Sequence, residues 1–347
     1  MEHTLQNPHK TKIAVWLFIT AFLVFMMVVV GGLTRLTESG LSMTRWHPIK
    51  QAIPPLNNIE WDAEFSHYKQ SPEYKKKNFG MNLQEFKKIF YWEWAHRVLG
   101  KIVGIVFLLP LLYFLFTKKI KKNEAQKFIG LFFLGGLQGL IGWWMVKSGL
   151  VDQPDVSHIR LATHLGLALI IFSLLLYTGF SYYLEPQKVK NHSLYCLVFF
   201  VYLILFIQII YGALLAGLNG GLIYNTWPNM NENFIAPEAF DNGFNSIIND
   251  ISTIQVIHRW WAFLVVGVIL ILYLKTKIII YELNEEAKTI RRFRIASKAL
   301  LHTTILQIIL GILTLVNQAP IPLASLHQIV AVILLVFITY FIRVSRW

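Results

Sequence analysis

Cysteine is almost missing from this 347-residue chain: there is one, Cys196. A single thiol excludes an intrachain disulfide, a CxxC redox pair and a thiolate metal site. Cys196 lies within an apolar run and is expected to be a small buried filler. Charge is scarce too. Only 15% of residues are charged and 55% are hydrophobic, where soluble domains carry about 25% charged residues. Burial in water cannot absorb that balance. Lysine and arginine are absent from two stretches, 148–158 and 218–252, although the chain holds 32 of them. Their absence there bears on orientation.

Apolar length is what the chain has in abundance. Crossing the hydrocarbon core takes roughly 20 mostly apolar residues. Eight such runs occur, at about 13–32, 89–116, 127–147, 159–183, 193–217, 253–279, 296–317 and 323–343. Backbone amides in lipid must be satisfied internally, and runs of this length satisfy them as helices. The first run has no small-residue cleavage pattern and continues into Gly31, Gly32 and Thr34, so a retained helix is expected. The fold class is all-α integral membrane protein.

The net charge of +13 is placed for lipid, not for nucleic acid. Basic residues crowd 10–12, 118–127, 188–190, 275–298 and Arg343–Arg346. With eight spans all five segments fall on one side, and the positive-inside rule makes that side the cytoplasm. Both termini belong to it, which suits a bacterial inner membrane. Loop 33–88 carries nine basic residues on the other side, but long loops translocate with weak regard to charge.

The chain also repeats itself. Gly32 through Gly40–Leu41 to Trp46 matches Gly212 through Gly221–Leu222 to Trp227. His96–Arg97 in the second span matches His258–Arg259 in the sixth, 162 positions on. Leu137–Gln138 and Gly142 match Leu306–Gln307 and Gly311, and His164 matches His327. Four helices per half give both halves the same orientation, as parallel repeats. The expected organisation is two four-helix bundles, 1–186 and 187–347, the first carrying the long outer loop.

An ionisable group inside a span is a functional-site candidate by default. Four histidines, His96, His164, His258 and His327, occupy repeat-related positions, all in even-numbered spans and within about two turns of the outer face. Two helices offering one imidazole each at matching height can clamp a haem from both sides, and bundle cores are where such cofactors sit. Zinc would want more donors close together. His47, His67, His158, His192 and His302 have no repeat partner and are given solvated or structural roles. Arg97 and Arg259 each follow a ligand histidine; haem propionates would suit them, as would snorkelling or a loop acid. Trp92, Trp94, Trp143, Trp144, Trp260 and Trp261 fit an interfacial belt, with Trp94 and Trp260 able to line a haem pocket.

The repeat fails at one telling place. Glu93 precedes His96 by three residues and shares its helix face, whereas Gln255 precedes His258. No other carboxylate lies inside the eight runs. An ion pair with Arg97 or Lys101 is one account. The other is that the first half performs chemistry, with Glu93 moving protons or stabilising a developing cation, while the second holds a non-reacting haem.

The stretch Gly31–Gly32–Leu33–Thr34–Arg35–Leu36–Thr37–Glu38–Ser39–Gly40–Leu41–Ser42–Met43, the loop with Pro54–Pro55, Glu60–Trp61 and Pro72–Glu73–Tyr74, and Glu93–Trp94–Ala95–His96–Arg97 resemble the haem A synthase family. The likeness covers nearly the whole chain and follows the alphaproteobacterial and mitochondrial branch. The other branch has a cysteine pair in the first outer loop, absent here. The resemblance implies oxygen-dependent oxidation of a methyl group of haem O to the formyl group of haem A, with haem b as cofactor. His96 and His164 would then flank haem O with Glu93 beside it, and His258 and His327 would ligate haem b. It further implies links to a haem O synthase and to cytochrome c oxidase, and leaves the electron donor unidentified. A di-haem electron-transfer cytochrome, or a haem carrier, is the alternative open to the four histidines alone.

Overall fold

The computed structural model describes residues 8–45, 50–151, 153–185, 191–282 and 287–346. Trp46, His47, Lys188, Lys190 and the 186/187 boundary lie outside the described residues. Helix α1 spans Pro8–Leu36. The first loop holds two short helices, α2 Asn58–Tyr68 and α3 Pro72–Lys76. Then come α4 Leu83–Phe116, α5 Lys122–Ser148, α6 His158–Tyr183 and α7 His192–Gly217. A single-turn α8, Ser246–Asn249, precedes α9 Ile251–Glu282, α10 Ala287–Val316 and α11 Ile321–Ser345. Eight of these helices are long and apolar enough to cross a membrane, one for each run read from the sequence. The chain is a multi-pass membrane protein.

Local signals set the helix starts. Asn57 and Ser71 cap α2 and α3, accepting from the amides of Glu60 and Tyr74. At α4 the Asn82 side chain accepts from the Glu85 amide while the Glu85 carboxylate accepts from that of Asn82, a capping box. That box starts α4 at Leu83, six residues ahead of the apolar run, because Gln84, Glu85, Lys87 and Lys88 are helical outside the hydrocarbon. His96 is therefore 13 residues into its helix, six of them ahead of the apolar run.

The chain separates into two compact units, Phe22–Ala168 and Met1–Ala21 with Leu169–Trp347. In the first, α2 packs on α4 around Met43, Trp61, Phe65, Tyr68, Phe86 and Phe90. Edge-on and stacked rings lock this layer: Trp61–Phe90 and Phe65–Phe86 at 5.0 Å and Tyr68–Phe86 at 4.9 Å. The long loop is thus a small folded layer with its own core. Lys77 Nζ reaches across to Asp155 Oδ1 at 2.8 Å. In the second unit α7, α9, α10 and α11 pack in sequence, and α11 returns to α7 to close the ring. Large apolar side chains such as Phe133, 69% exposed, and Leu109, 61% exposed, face outward. On a membrane helix these are lipid contacts.

Cys196 departs from expectation. It is exposed, on the first turns of α7, with its Sγ 3.4 Å from His192 Nδ1. Position i+4 from His192 puts it on that residue's outward face, so it fills no core.

Within the loop layer, Tyr68 Oη donates to Glu73 Oε2 at 2.9 Å, and Asn78 Nδ2 donates to Tyr68 Oη at 2.7 Å. Burial pushes the Glu73 carboxyl up to about 7; Glu93 and Glu38 add to this, while the Tyr68 hydrogen bond and Lys77 oppose it. Unfolded, the group titrates near 4.5. Between those values the folded protein holds a proton that the unfolded chain has lost, so stability falls as pH rises through the window. The expected loss is roughly 3 kcal/mol at most. Thermal unfolding in detergent at pH 5 and pH 8 measures it, and Glu73→Gln should remove this pH dependence while keeping the Tyr68 contact.

Candidate functional site

Glycine decides where the four histidines sit. A methyl group placed on Gly31 would stand 2.9 Å from His96 Cε1. On Gly142 it would stand 2.8 Å from His164 Cε1, on Gly212 3.1 Å from His258 Cε1, and on Gly311 2.9 Å from His327 Cε1. Each imidazole therefore lies flush against the backbone of the preceding span; at Gly31, Gly142 and Gly311 only glycine leaves room, and at Gly212 a larger residue would be crowded. The pattern also corrects the repeat alignment. Gly40 and Gly221 are 181 positions apart, as are Gly31 and Gly212, so Gly31 rather than Gly32 is the counterpart of Gly212.

Glutamine holds three of the four rings. Gln138 Nε2 is 3.1 Å from His164 Nδ1 and donates to the His164 carbonyl at 3.0 Å. Gln208 Nε2 is 3.1 Å from His258 Nδ1 and donates to the His258 carbonyl at 2.9 Å. Gln307 Nε2 lies 3.4 Å from His327 Nε2. Gln138 and Gln307 stood out in the sequence only as repeat markers, and Gln208 did not stand out. The signal that finds all three is their spacing, four residues before the facing glycine, one turn away on the same helix face.

The structure brings His96 and His164 within electrostatic range of one another, and likewise His258 and His327. Each pair lies within a single compact unit. Among the described residues no three His, Cys, Asp or Glu side chains gather to hold a bare metal ion. Two imidazoles without a third donor match a macrocycle that already supplies four nitrogens. The Nδ1 atoms of His96 and His327 and the indole nitrogens of Trp94 and Trp260 are buried without a hydrogen-bond partner, as expected of pockets shaped for a further group. The residues present fit a haem in each unit.

Beside the pairs, the two arginines make matching contacts. Arg97 donates to the Met43 carbonyl at 3.0 Å, and Arg259 donates to the carbonyls of Tyr224 and, at 3.1 Å, Thr226. Met43 and Tyr224 are themselves 181 positions apart. Arg97 also pairs with Glu93 Oε1 at 2.5 Å, so Arg97 rather than Lys101 is the ion-pair partner. Glu93 Oε2 accepts from Ser42 Oγ at 2.7 Å and from the Met43 amide at 2.8 Å. In the other half Gln255 Nε2 donates to the carbonyls of Gly220 and Ile223. Acid and amide pin the same turn with opposite hydrogen-bond polarity. Trp92, Trp143 and Trp144 are exposed as a belt would be. Trp94 packs against the loop layer and Trp260 against Phe234 at 4.3 Å.

Comparison with known proteins follows these features along the whole chain. The chain is 42% identical over 332 residues to the "Heme A synthase" of Nitrosospira multiformis, covering 94% of this chain and 91% of that one. It is 41% identical over 346 residues to the "Heme A synthase" of Flavobacterium johnsoniae, covering 96% and 98%, and 42% identical over 331 residues to that of Mesorhizobium japonicum, covering 93% and 87%. The family model COX15-CtaA, described as cytochrome oxidase assembly protein, matches residues 14–339. That match enters in α1, leaves in α11 and takes in both imidazole pairs, and the chain belongs to this family of cytochrome oxidase assembly proteins.

Proposed function

We propose that this chain makes haem A, oxidising a methyl substituent of haem O to a formyl group in the bacterial inner membrane, with both termini cytoplasmic. Its curated relatives bear the name of that activity. The observation that carries the residue-level reading is the contrast between Glu93 and Gln255, one oriented carboxylate beside one of two otherwise matching histidine pairs. The first half, 1–186, takes haem O between His96 and His164. The second half, 187–347, holds haem b through His258 and His327, and that cofactor supplies electron transfer when bound.

Glu93 is the group we assign to the chemistry. Ser42, the Met43 amide and Arg97 fix its two oxygens, and a carboxylate held in place before reaction can face positive charge as it develops on the substrate. Arg97 and Arg259 already donate to Glu93 and to loop carbonyls, so a propionate would share their remaining donors. Their proposed part is to hold each loop over its site. In each hydroxylation molecular oxygen supplies the new oxygen atom, and two electrons and two protons from a donor outside the chain reduce its other atom to water. A haem O synthase delivers the substrate, and the product serves cytochrome c oxidase.

A di-haem electron carrier would give the Glu93–Gln255 difference no role. Haem extraction and chromatography separate the two readings. Protein co-expressed with a haem O synthase should yield haem b together with haem O, haem A or a hydroxylated intermediate, whereas haem b alone favours the electron carrier. Glu93→Gln should retain haem b and lower haem A output by about 100-fold or more. His258→Met and His327→Met should each strip the low-spin haem b spectrum and leave the first site loaded; an unchanged spectrum would mean that the halves are assigned the wrong way round.

A further inference from the structure

Three of the four imidazoles have an amide at the same place, and the fourth does not. Gln138 and Gly142 serve His164, Gln208 and Gly212 serve His258, and Gln307 and Gly311 serve His327. In α1 the same four-residue spacing gives Met27 and Gly31. Met27 and Gln208 are 181 positions apart, the offset that relates Gly31 to Gly212. The Met27 side chain points to α4: a methyl group on Gly100, one turn beyond His96, would stand 3.6 Å from its Cε. A thioether thus stands at the position where the repeat has an amide, and His96 Nδ1 is buried with no hydrogen-bond partner.

The chemical difference is large. The Gln138, Gln208 and Gln307 amides each carry a donor, Nε2, at a ring nitrogen and a buried acceptor, Oε1, that has no partner. At Gln138 and Gln208 the same Nε2 also donates to the histidine's own carbonyl, which ties ring and helix together. Methionine offers no donor and only a weak acceptor. An amide at a ring nitrogen holds the imidazole in one orientation. His96 has no amide at either ring nitrogen, whereas His164 and His258 have one at Nδ1 and His327 has one at Nε2.

We propose that Met27 makes His96 the labile axial ligand of the first site, the imidazole that gives way to a small incoming ligand, while Gln208 keeps His258 closed on its haem. Met27 is in this sense a positioning residue, acting through His96. The inference rests on the reading that each imidazole pair holds a haem. It places the open coordination position on the α1–α4 side of the first site, the side that also carries Glu93, and gives the two halves different reactivity from one residue each in α1 and α7.

The test uses the purified full chain, co-expressed with a haem O synthase, reduced and titrated with carbon monoxide while its absorption spectrum is followed. Wild type should bind carbon monoxide at the first site and exclude it from haem b. Met27→Gln should weaken that binding by about 10-fold or more and shift the ferric paramagnetic resonance signal of the first site. Met27→Leu, equally without an amide, should track wild type. Gln208→Met should open haem b to carbon monoxide. Equal affinity in wild type, Met27→Leu and Met27→Gln, with both haems present, overturns the proposal. If Met27→Gln does not accumulate, Gln208→Met decides, and continued exclusion there overturns it. A wild-type first site that takes up no haem overturns the underlying reading and this inference with it.

Discussion

An imidazole laid against a glycine backbone is the contact on which the rest of this protein depends. It occurs four times, at Gly31, Gly142, Gly212 and Gly311; at three of them a ring carbon lies closer than a β-carbon would allow, and at Gly212 a β-carbon would be crowded. The contact joins each odd span to the even span after it and removes the ring's rotational freedom. A histidine in lipid is costly unless its polar atoms are served. Here the same helix face that makes room for the ring also serves it, through an amide one turn away, at three positions of four. Helix packing and imidazole placement are one interaction.

The loops repeat this economy at a second level. Arg97 and Arg259 reach back to equivalent carbonyls, those of Met43 and Tyr224, so each half ties its first turn to the helix that carries its first histidine by the same device. Upon that shared frame two differences fall at repeat-related positions near the histidines. Glu93 replaces an amide that donates with a carboxylate that accepts, and Met27 replaces an amide with a thioether. A duplicated scaffold can acquire two chemistries in this way without altering its fold, because neither replacement touches the glycine contacts.

Much of this was legible in the residues. The spans follow from apolar length, since lipid leaves helices as the only way to satisfy the backbone. The four histidines and the Glu93–Gln255 contrast follow from repeat spacing. What escaped did so for identifiable reasons. Two adjacent glycines at 31 and 32 are equivalent by type; the ring of His96 and the 181-residue offset shared with Gly40 and Gly221 distinguish them. Gln208 lies in an apolar stretch where hydropathy dilutes one amide. Cys196 looks buried by composition, but hydropathy in a membrane helix does not separate the protein-facing side from the lipid-facing one. The early start of α4 was written in Asn82 and Glu85, although polar residues there resemble a loop.

The exposed pair between Lys77 and Asp155 has a bearing on the medium that this face meets. An ion pair of such exposure contributes about 0–1 kcal/mol, and its field fades within about 8 Å at physiological salt. The aromatic layer of Trp61, Phe65, Tyr68 and Phe86 takes no such direction from dissolved ions. The clasp between the two loops therefore slackens in brine and tightens in fresh water, while the layer beneath it stays shut in both.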